Sequence, residues 1–341
     1  MSLIETDAVI VGAGPCGLFA VFELGMLNLR CHVIDALPAP GGQCAELYPE
    51  KPIYDIPALP ACTGGQLIEN LLHQIKPFGA QFHFNTLVKS LTSMDDGRWH
   101  LATEQGEEFT APAIIIAAGS GSFTPKKIPL AGAERHENQS LFYAVREKAS
   151  LAGQRLVITG GGDSALDWVL DLVDIADHLT LVHRRSEFRA APDTVARVKA
   201  LIDQGRITFK AGFISALESG DEGLRAVSIS GPGDTTHRVE CDSVLAFYGL
   251  AAQLGPLTSF GLEMRENQIC VDTEHFQTSL PGVYAIGDVA WYPGKLKLIL
   301  SGFHESALMA HSVKKRVHPN VKNLFQHSTT AMKSHLKARA E

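Results

Sequence analysis

Three glycines and an aspartate near the N-terminus form a pattern that could bind a nucleotide. The glycines read Gly12-x-Gly14-x-x-Gly17, after the apolar run 8–11 and before a helical pattern, and Asp35 ends the next apolar run. In such a pattern the first glycine allows a tight turn, the second lets backbone amides approach a pyrophosphate, and the third lets helix and strand pack closely. A carboxylate at the end of the second strand can accept hydrogen bonds from ribose hydroxyls. The segment therefore predicts an adenine dinucleotide site.

A second segment repeats this pattern later in the chain, but with the opposite charge at its end. Glycines follow the apolar run 156–159, and Arg184 and Arg185 stand where the first copy has Asp35. Arginines there can pair with a 2′-phosphate, which favours NADP, although a solvated basic strand end is the alternative. The first site then suits FAD or NAD. The residues predicted to bind NADP(H) are Gly160, Gly162, Asp163, Ser164, Arg184 and Arg185.

A third short motif favours FAD in the first site. Gly287-Asp288 follows the apolar run 283–286, and an aspartate in this position can accept a hydrogen bond from a flavin ribityl hydroxyl. Its alternative role is to cap a turn. Two dinucleotide sites on one chain indicate electron transfer between two cofactors.

The elements that position these motifs predict an α/β fold. Short β-branched runs bounded by glycine are typical of parallel strands covered on both faces, so the duplication predicts two Rossmann-like dinucleotide-binding domains, each with three layers. We expect an FAD domain formed by residues 1–118 and 281–341, with an NADP(H) domain, residues 119–280, inserted into it. The sequence around Asp95-Asp96-Gly97 also predicts a hairpin turn.

The composition excludes several classes of protein. The 341 residues carry a formal net charge of −7, with 45% hydrophobic and 20% charged residues, which is typical of a folded domain and argues against a nucleic-acid binder. The longest apolar run, 113–118, is far below the roughly 18 residues that span a membrane. Glu5 and Asp7 stand where a signal peptide carries basic residues. We expect a cytoplasmic protein that binds neither nucleic acid nor membrane.

The six cysteines contain no Cys-x-x-Cys pair, so the sequence predicts neither a metal site nor a vicinal redox pair. Five of them are interpreted as small hydrophobic residues. Cys16 stands at a helix N-terminus, where a thiolate would be stabilised. It could serve a disulfide reductase of low-molecular-weight thiols, or simply fit the turn.

Several segments resemble known flavoproteins across essentially the whole chain. GAGPCGL (12–18), GGQCAELYPEK (41–51), GGGDSA (160–165) and AIGDV (285–289) are similar to thioredoxin-reductase-like enzymes. Within that group, LYPEKPIYD (47–55), KLKLILSGFHE (295–305) and HST (327–329) resemble type 2 ferredoxin (flavodoxin)–NADP reductases.

The resemblance implies an FAD enzyme that passes electrons between NADPH and ferredoxin or flavodoxin. It implies a homodimer in which the C-terminal tail of one subunit covers the partner's flavin, with Tyr48 and His327 stacked on the two flavin faces. Residues 142–147, where thioredoxin reductases keep a Cys-x-x-Cys, contain no cysteine, so electrons must leave the flavin directly. The implied FAD contacts, beyond the three glycines, are Asp35, Gln43, Tyr48, Val88, Phe123, Asp288 and Thr329.

Two expectations stay open at this stage. The lysine- and arginine-rich end, 311–341, could dock an acidic carrier protein or be a solvated tail. A flavoprotein that binds both nucleotides as a redox sensor, without turnover, fits the same motifs.

Overall fold

The chain forms two compact units. The computed structural model describes residues 3–220 and 223–321 together with Met332, and at residues 122–124 and 250–252 it describes the backbone alone. One unit consists of Met1–Ser122 and Ala252–Glu341, and the other of Phe123–Ala251. The second unit is thus inserted into the first, and the chain returns to the first unit at residue 252 rather than at 281.

The earlier return has a packing cause. Leu257, Leu262 and Ile269 lie in the same hydrophobic cluster as Val9 and Val283, which belong to the central sheet of the first unit. Residues 252–280 therefore complete the core of the first unit, although the strong turn signal at 280–282 lies after them.

The helices and strands follow one another in three stretches of the chain. The first contains β1 (Leu3–Glu5), β2 (Ala8–Val11), α1 (Pro15–Met26), β3 (Cys31–Ile34), α2 (Gly42–Glu46), β4 (Pro52–Ile53), β5 (Cys62–Thr63), α3 (Gly64–Ile75), β6 (Gln81–His83), β7 (Val88–Ser93), β8 (Trp99–Thr103), β9 (Glu108–Ala111) and β10 (Ala113–Ile116). The second contains β11 (Ser122–Pro125), β12 (Leu141–Phe142), β13 (Arg155–Thr159), α4 (Asp163–Leu172), β14 (His178–His183), α5 (Pro192–Asp203), β15 (Thr208–Ala211), β16 (Phe213–Gly220), β17 (Gly223–Ser230), β18 (Thr236–Glu240), β19 (Ser243–Ala246) and β20 (Leu250–Gln253). The third contains β21 (Met264–Arg265), β22 (Gln268–Cys270), β23 (Val283–Ala285), β24 (Ala290–Trp291) and α6 (Ile299–Val317).

The first unit is built on a parallel sheet in the order β23-β10-β2-β3-β6. All residues of β2 and β10 are buried, as expected for strands covered on both faces. Helices α1, α3 and α6 contribute to the cluster on one face, and β7, β8 and β9 contribute to the cluster on the other. The antiparallel pair β7 and β8 contains the predicted hairpin, with Gly97 at φ +81° in its turn.

The second unit repeats this plan. Its parallel sheet has the order β12-β19-β13-β14-β15, with α4 and α5 packed on one face and the antiparallel β16-β17-β18 sheet on the other. The predicted α/β class with two Rossmann-like units is therefore confirmed. No helix within the described ranges is long and apolar enough to span a bilayer.

Candidate functional site

The turn between β2 and α1 leaves an open space in front of the helix N-terminus. Gly12 has φ +112°, and a Cβ there would collide with the carbonyl of Ala117. A Cβ on Gly17 would collide with the carbonyl of Gly12, which lets helix and turn approach closely. At Gly14, by contrast, no described atom lies within 4 Å of the place where a Cβ would stand. The three glycines thus have the separate roles that a pyrophosphate-binding turn requires.

Asp35 is fixed beside this turn. Its Oδ2 accepts a hydrogen bond from the backbone N of Ala13 at 2.6 Å, and its Oδ1 accepts one from the N of Leu37 at 2.8 Å. Burial raises the pKa of the carboxyl, and the two backbone hydrogen bonds oppose that rise. Each oxygen still has acceptor capacity for a further donor such as a ribose hydroxyl.

The loop that carries Gln43 and Tyr48 is tied to the same turn. The backbone N of Gly41, at φ +121°, donates to the carbonyl of Ala13 at 2.9 Å. The amide Nε2 of Gln43 lies toward Gly119, which follows β10: a Cβ on that glycine would be 3.9 Å away. The loop therefore lies beside the ends of β2 and β10, next to the glycine turn.

Tyr48 is half-buried close to a cysteine and an aspartate. The Cys44 Sγ and the Tyr48 Oη lie 3.6 Å apart, and the Nζ of Lys51 lies 6.0 Å from the ring centroid. The pKa of the Tyr48 phenol is raised first by burial and then by Cys44 and by the charge of Asp288. The phenol is therefore neutral at physiological pH, and the charge of Asp288 lies near enough to affect it.

Asp288 follows β23 in a tight turn that begins at Gly287, at φ +75°. Burial raises the pKa of its carboxyl, whereas the positive charges of Lys295 and Lys297 lower it. Its side chain accepts no hydrogen bond from the residues that the structure describes, so it has acceptor capacity for a bound group.

The remaining residues predicted for the first site divide into two groups. Val88 begins β7, and its buried side chain lies in one cluster with Val11 and Ile34, directly before Gly12 and Asp35. It thus lies near the ends of β2 and β3, and its contact with FAD stays a prediction. The side chain of Phe123, and His327 and Thr329 entirely, lie outside the described residues.

The second glycine turn repeats the first in its backbone. Gly160 has φ +149°, and a Cβ there would lie 2.6 Å from the carbonyl O of Phe247, in the residue that follows β19. Helix α4 begins at Asp163, with Ser164 exposed in its first turn. The Asp163 Oδ1 accepts a hydrogen bond from the N of Ala191 at 2.8 Å, so this carboxylate holds a loop rather than facing a phosphate unpaired.

That loop, residues 184–191, folds back over the turn and carries three exposed arginines. The backbone N of Arg189 donates to the carbonyl of Gly161 at 2.7 Å. Arg184, Arg185 and Arg189 all lower the pKa of His183, after the larger effect of burial, so each of the three positive charges acts on this histidine. Arg189 was missed by sequence reasoning, since the offset from Gly160 identifies only the end of β14. A third arginine directly after Phe188, close to Arg184 and Arg185 in the sequence, was the signal that could have identified it.

Cys16 is not activated. A Cβ on Gly302 would collide with its Sγ, and one on Gly287 would lie 3.1 Å from it. Burial, with Asp288 and Glu305 nearby, raises the pKa of the thiol to about 12. The thiol is therefore protonated at neutral pH, contrary to what a nucleophilic role would need. Among the described side chains, no group of three His, Cys, Asp or Glu could hold a metal ion.

Two Rossmann-like units, each with a glycine-rich turn, are typical of an oxidoreductase that binds two dinucleotides. The chain belongs to the family described as pyridine nucleotide-disulphide oxidoreductase, which matches residues 6–330. It is 52% identical over 328 residues to a ferredoxin–NADP reductase of Parvibaculum lavamentivorans, and 51% identical over 329 residues to one of Mesorhizobium japonicum, with 96% of each chain covered in both comparisons. Among solved structures, thioredoxin reductase of Lactococcus lactis has the same fold, with a TM-score of 0.76 and 23% identity over 92% of this chain and 99% of that one.

Proposed function

We propose that this protein is an FAD-dependent ferredoxin–NADP reductase, which passes electrons between NADPH and a one-electron carrier protein. The observation that carries the proposal is the opposite charge at two otherwise matching turns. Asp35 presents a carboxylate beside the first turn, and the exposed Arg184, Arg185 and Arg189 lie in the loop that is hydrogen-bonded to the second. The relatives that are about half identical to this chain carry the same name.

The residues of the first unit fit FAD. The space in front of Gly14 suits a pyrophosphate at a helix N-terminus, and Asp35 would accept hydrogen bonds from the adenosine ribose. Asp288, with its free acceptor capacity, would bind the ribityl chain, and Gln43 and Val88 would line the isoalloxazine and adenosine ends. Phe123 and Thr329 are proposed contacts from the resemblance alone.

The residues of the second unit fit NADP(H). Gly160 and Gly162 shape the turn, and the exposed first turn of α4 at Asp163 and Ser164 offers backbone N–H groups to the pyrophosphate. Three arginines can neutralise and bind a 2′-phosphate, which NAD lacks.

The chemistry divides between the cofactor and the chain. FAD, when bound, supplies the ability to accept a hydride and to release electrons one at a time. The chain binds and orients: Tyr48 offers a neutral ring for stacking, which adds about 0.5–1.5 kcal/mol beyond burial. No general acid or base is required.

The finer features of this proposal are the carrier, the assembly and the compartment. We propose ferredoxin or flavodoxin as the carrier, a homodimer whose tail places His327 over the partner's flavin, and a cytoplasmic location. Removing residues 327–341 should then keep FAD bound but alter its absorbance and the rate of reduction by NADPH. An unchanged spectrum and rate would refute the role of the tail.

An anaerobic titration with NADPH tests the central proposal. One FAD per chain should be fully reduced by two electrons, because no dithiol stores more, whereas about four electrons per chain would indicate a flavin with a disulfide. The reduced protein should then turn over with ferredoxin or flavodoxin. Reduction without turnover would favour the redox sensor instead.

A further inference from the structure

A buried ion pair lies beneath the turn that carries Asp288. The ammonium of Lys295 contacts the Glu305 Oε1, and the two side chains are only 4% and 0% exposed. Removing two charges from water is costly, and such a pair persists only where other hydrogen bonds satisfy it. The groups that hold this pair in place therefore indicate what it does.

Glu305 connects helix α6 to that turn. Its Oε2 accepts a hydrogen bond from the backbone N of Gly287 at 2.6 Å, and its Oε1 accepts one from the Tyr292 hydroxyl at 2.8 Å. The contact with Gly287 holds the residue directly before Asp288, in a backbone conformation at φ +75° that side chains rarely adopt.

Lys295 acts on both carboxylates of this region. It pairs with Glu305, and its charge also favours the ionised form of Asp288, whose pKa is raised by burial and by Glu305 itself. Without this ammonium, the fully buried carboxylate of Glu305 would lose its ion-pair partner, and Asp288 would keep only the smaller effect of the Lys297 charge. A buried carboxylate left without its partner would destabilise the turn that it holds.

We propose that Glu305 and Lys295 are positioning residues of the FAD site: Glu305 fixes the turn that carries Asp288, and Lys295 pairs with the carboxylate of Glu305 where it is buried behind that turn. This inference rests on the proposed function, since it assigns Asp288 to FAD. Neither residue touches the cofactor in this proposal; both act through the aspartate.

The test is the affinity for FAD in Lys295→Met, Glu305→Gln and the double variant. Each single variant should raise the dissociation constant for FAD at least tenfold, measured by flavin fluorescence on dilution. In the double variant the dissociation constant should rise by less than the product of the two single increases, because no unpaired charge remains buried. Lys148→Met is the matched control: Lys148 pairs with Asp171 at 3.0 Å in the other unit, and FAD affinity should stay unchanged.

A purely structural role has a different signature. It would lower the melting temperature of the FAD-loaded and FAD-free proteins equally and leave the dissociation constant within twofold, which would overturn the proposal. If the charge variants do not fold, Tyr292→Phe decides: it removes one hydrogen bond to Glu305 and should still weaken FAD binding a few-fold, and an unchanged affinity would overturn the proposal.

The two proposals fail in distinguishable ways. A wild-type protein that binds no FAD contradicts the proposed function. A wild-type protein that binds FAD, with variants that bind it equally well, contradicts only the role of Lys295 and Glu305.

Discussion

The carboxylate of Asp35 and the backbone N of Ala13 are joined by a hydrogen bond of 2.6 Å, which ties the end of β3 directly to the glycine turn after β2. In the second unit the corresponding link runs through the backbone, from Arg189 N to Gly161 O. In the first unit the carboxylate of Asp35 is thus part of the turn. In the second unit the link needs no acidic side chain, so arginines can follow the strand there. The same backbone design can serve two different nucleotides for this reason.

The first prediction concerns the charge of Asp35. Asp35→Asn keeps an oxygen acceptor for Ala13 but removes the charge, so FAD affinity should fall about tenfold or more, since a charged hydrogen bond contributes roughly 1.5–3 kcal/mol. Like Asp35, Asp7 accepts a backbone hydrogen bond, from Arg30 N at 2.9 Å. Asp7 lies directly before β2, however, whereas Asp35 directly follows β3, so Asp7→Asn is the control. Equal retention of FAD by wild type and Asp35→Asn on gel filtration would contradict the assignment.

The second prediction concerns nucleotide choice. Replacing Arg184, Arg185 or Arg189 with glutamine should weaken the binding of NADPH by about tenfold or more per arginine. The binding of NADH should stay nearly unaffected, because NADH has no 2′-phosphate. The measurement is KM for each nucleotide. Arg206→Gln, which breaks an exposed pair with Asp174 at 2.6 Å, should change neither. Equal losses for both nucleotides would mean that the arginines are structural.

The spacing of the motifs predicted much of the site because those signals are local. A strand, a glycine turn and a helix occupy one short segment, so Gly12, Gly17 and Asp35 could be assigned separate roles from sequence alone. The structure shows the tight turn at Gly12 and the close packing at Gly17, whereas the binding of ribose by Asp35 stays a prediction. The layered α/β architecture followed from the repeat of this segment and from the buried β-branched runs.

What sequence reasoning missed depends on contacts between distant residues. The pairing of Lys295 with Glu305 requires α6 to lie over the Gly287 turn, and no periodicity encodes that. Arg189 required the loop to fold back on Gly161. The return of the chain at residue 252 was hidden because Leu257 and Ile269 enter the core from a single 3-10 turn and a three-residue strand, which are too short to show a hydrophobic period.

A third prediction concerns acid stability. The His32 Nδ1 and His83 Nε2 lie 2.9 Å apart, and the His83 Nδ1 lies 2.8 Å from the Glu107 Oε1. Burial, followed by the charges of His83 and Arg30, lowers the pKa of His32, and Glu107 opposes the effect. The unfolded chain therefore binds a proton at His32 at higher pH than the folded chain does.

The contribution of His32 to the free energy of unfolding is fully present above about pH 6.5 and is lost as the pH falls toward the lowered pKa of the folded state. In His32→Gln the melting temperature should fall less steeply between pH 6.5 and more acidic values than in wild type. His178→Gln, at an exposed histidine, should keep the wild-type slope. A His32→Gln slope equal to that of wild type would refute the prediction.

A fourth prediction concerns the thiol of Cys16. Since burial raises its pKa to about 12, iodoacetamide should modify it slowly at pH 7, and Cys16→Ala should reduce the carrier at close to the wild-type rate. Loss of carrier turnover in Cys16→Ala, with FAD still bound, would revive the single-thiol reductase.

The last prediction uses the contact between Cys16 and Gly302. Gly302 lies in the first turn of α6, and a Cβ there would collide with the Cys16 Sγ and lie 3.3 Å from the Cα of Gly287. Gly302→Ala should therefore destabilise the protein by about 1–3 kcal/mol, as overpacking of a filled core does. In the Cys16→Ala background the same substitution should cost less, because the Sγ is gone and alanine favours the helix by about 1 kcal/mol over glycine. Urea unfolding of the four proteins gives the coupling energy between the two sites. A coupling energy near zero would mean that the helix and the glycine turn do not meet at these two residues.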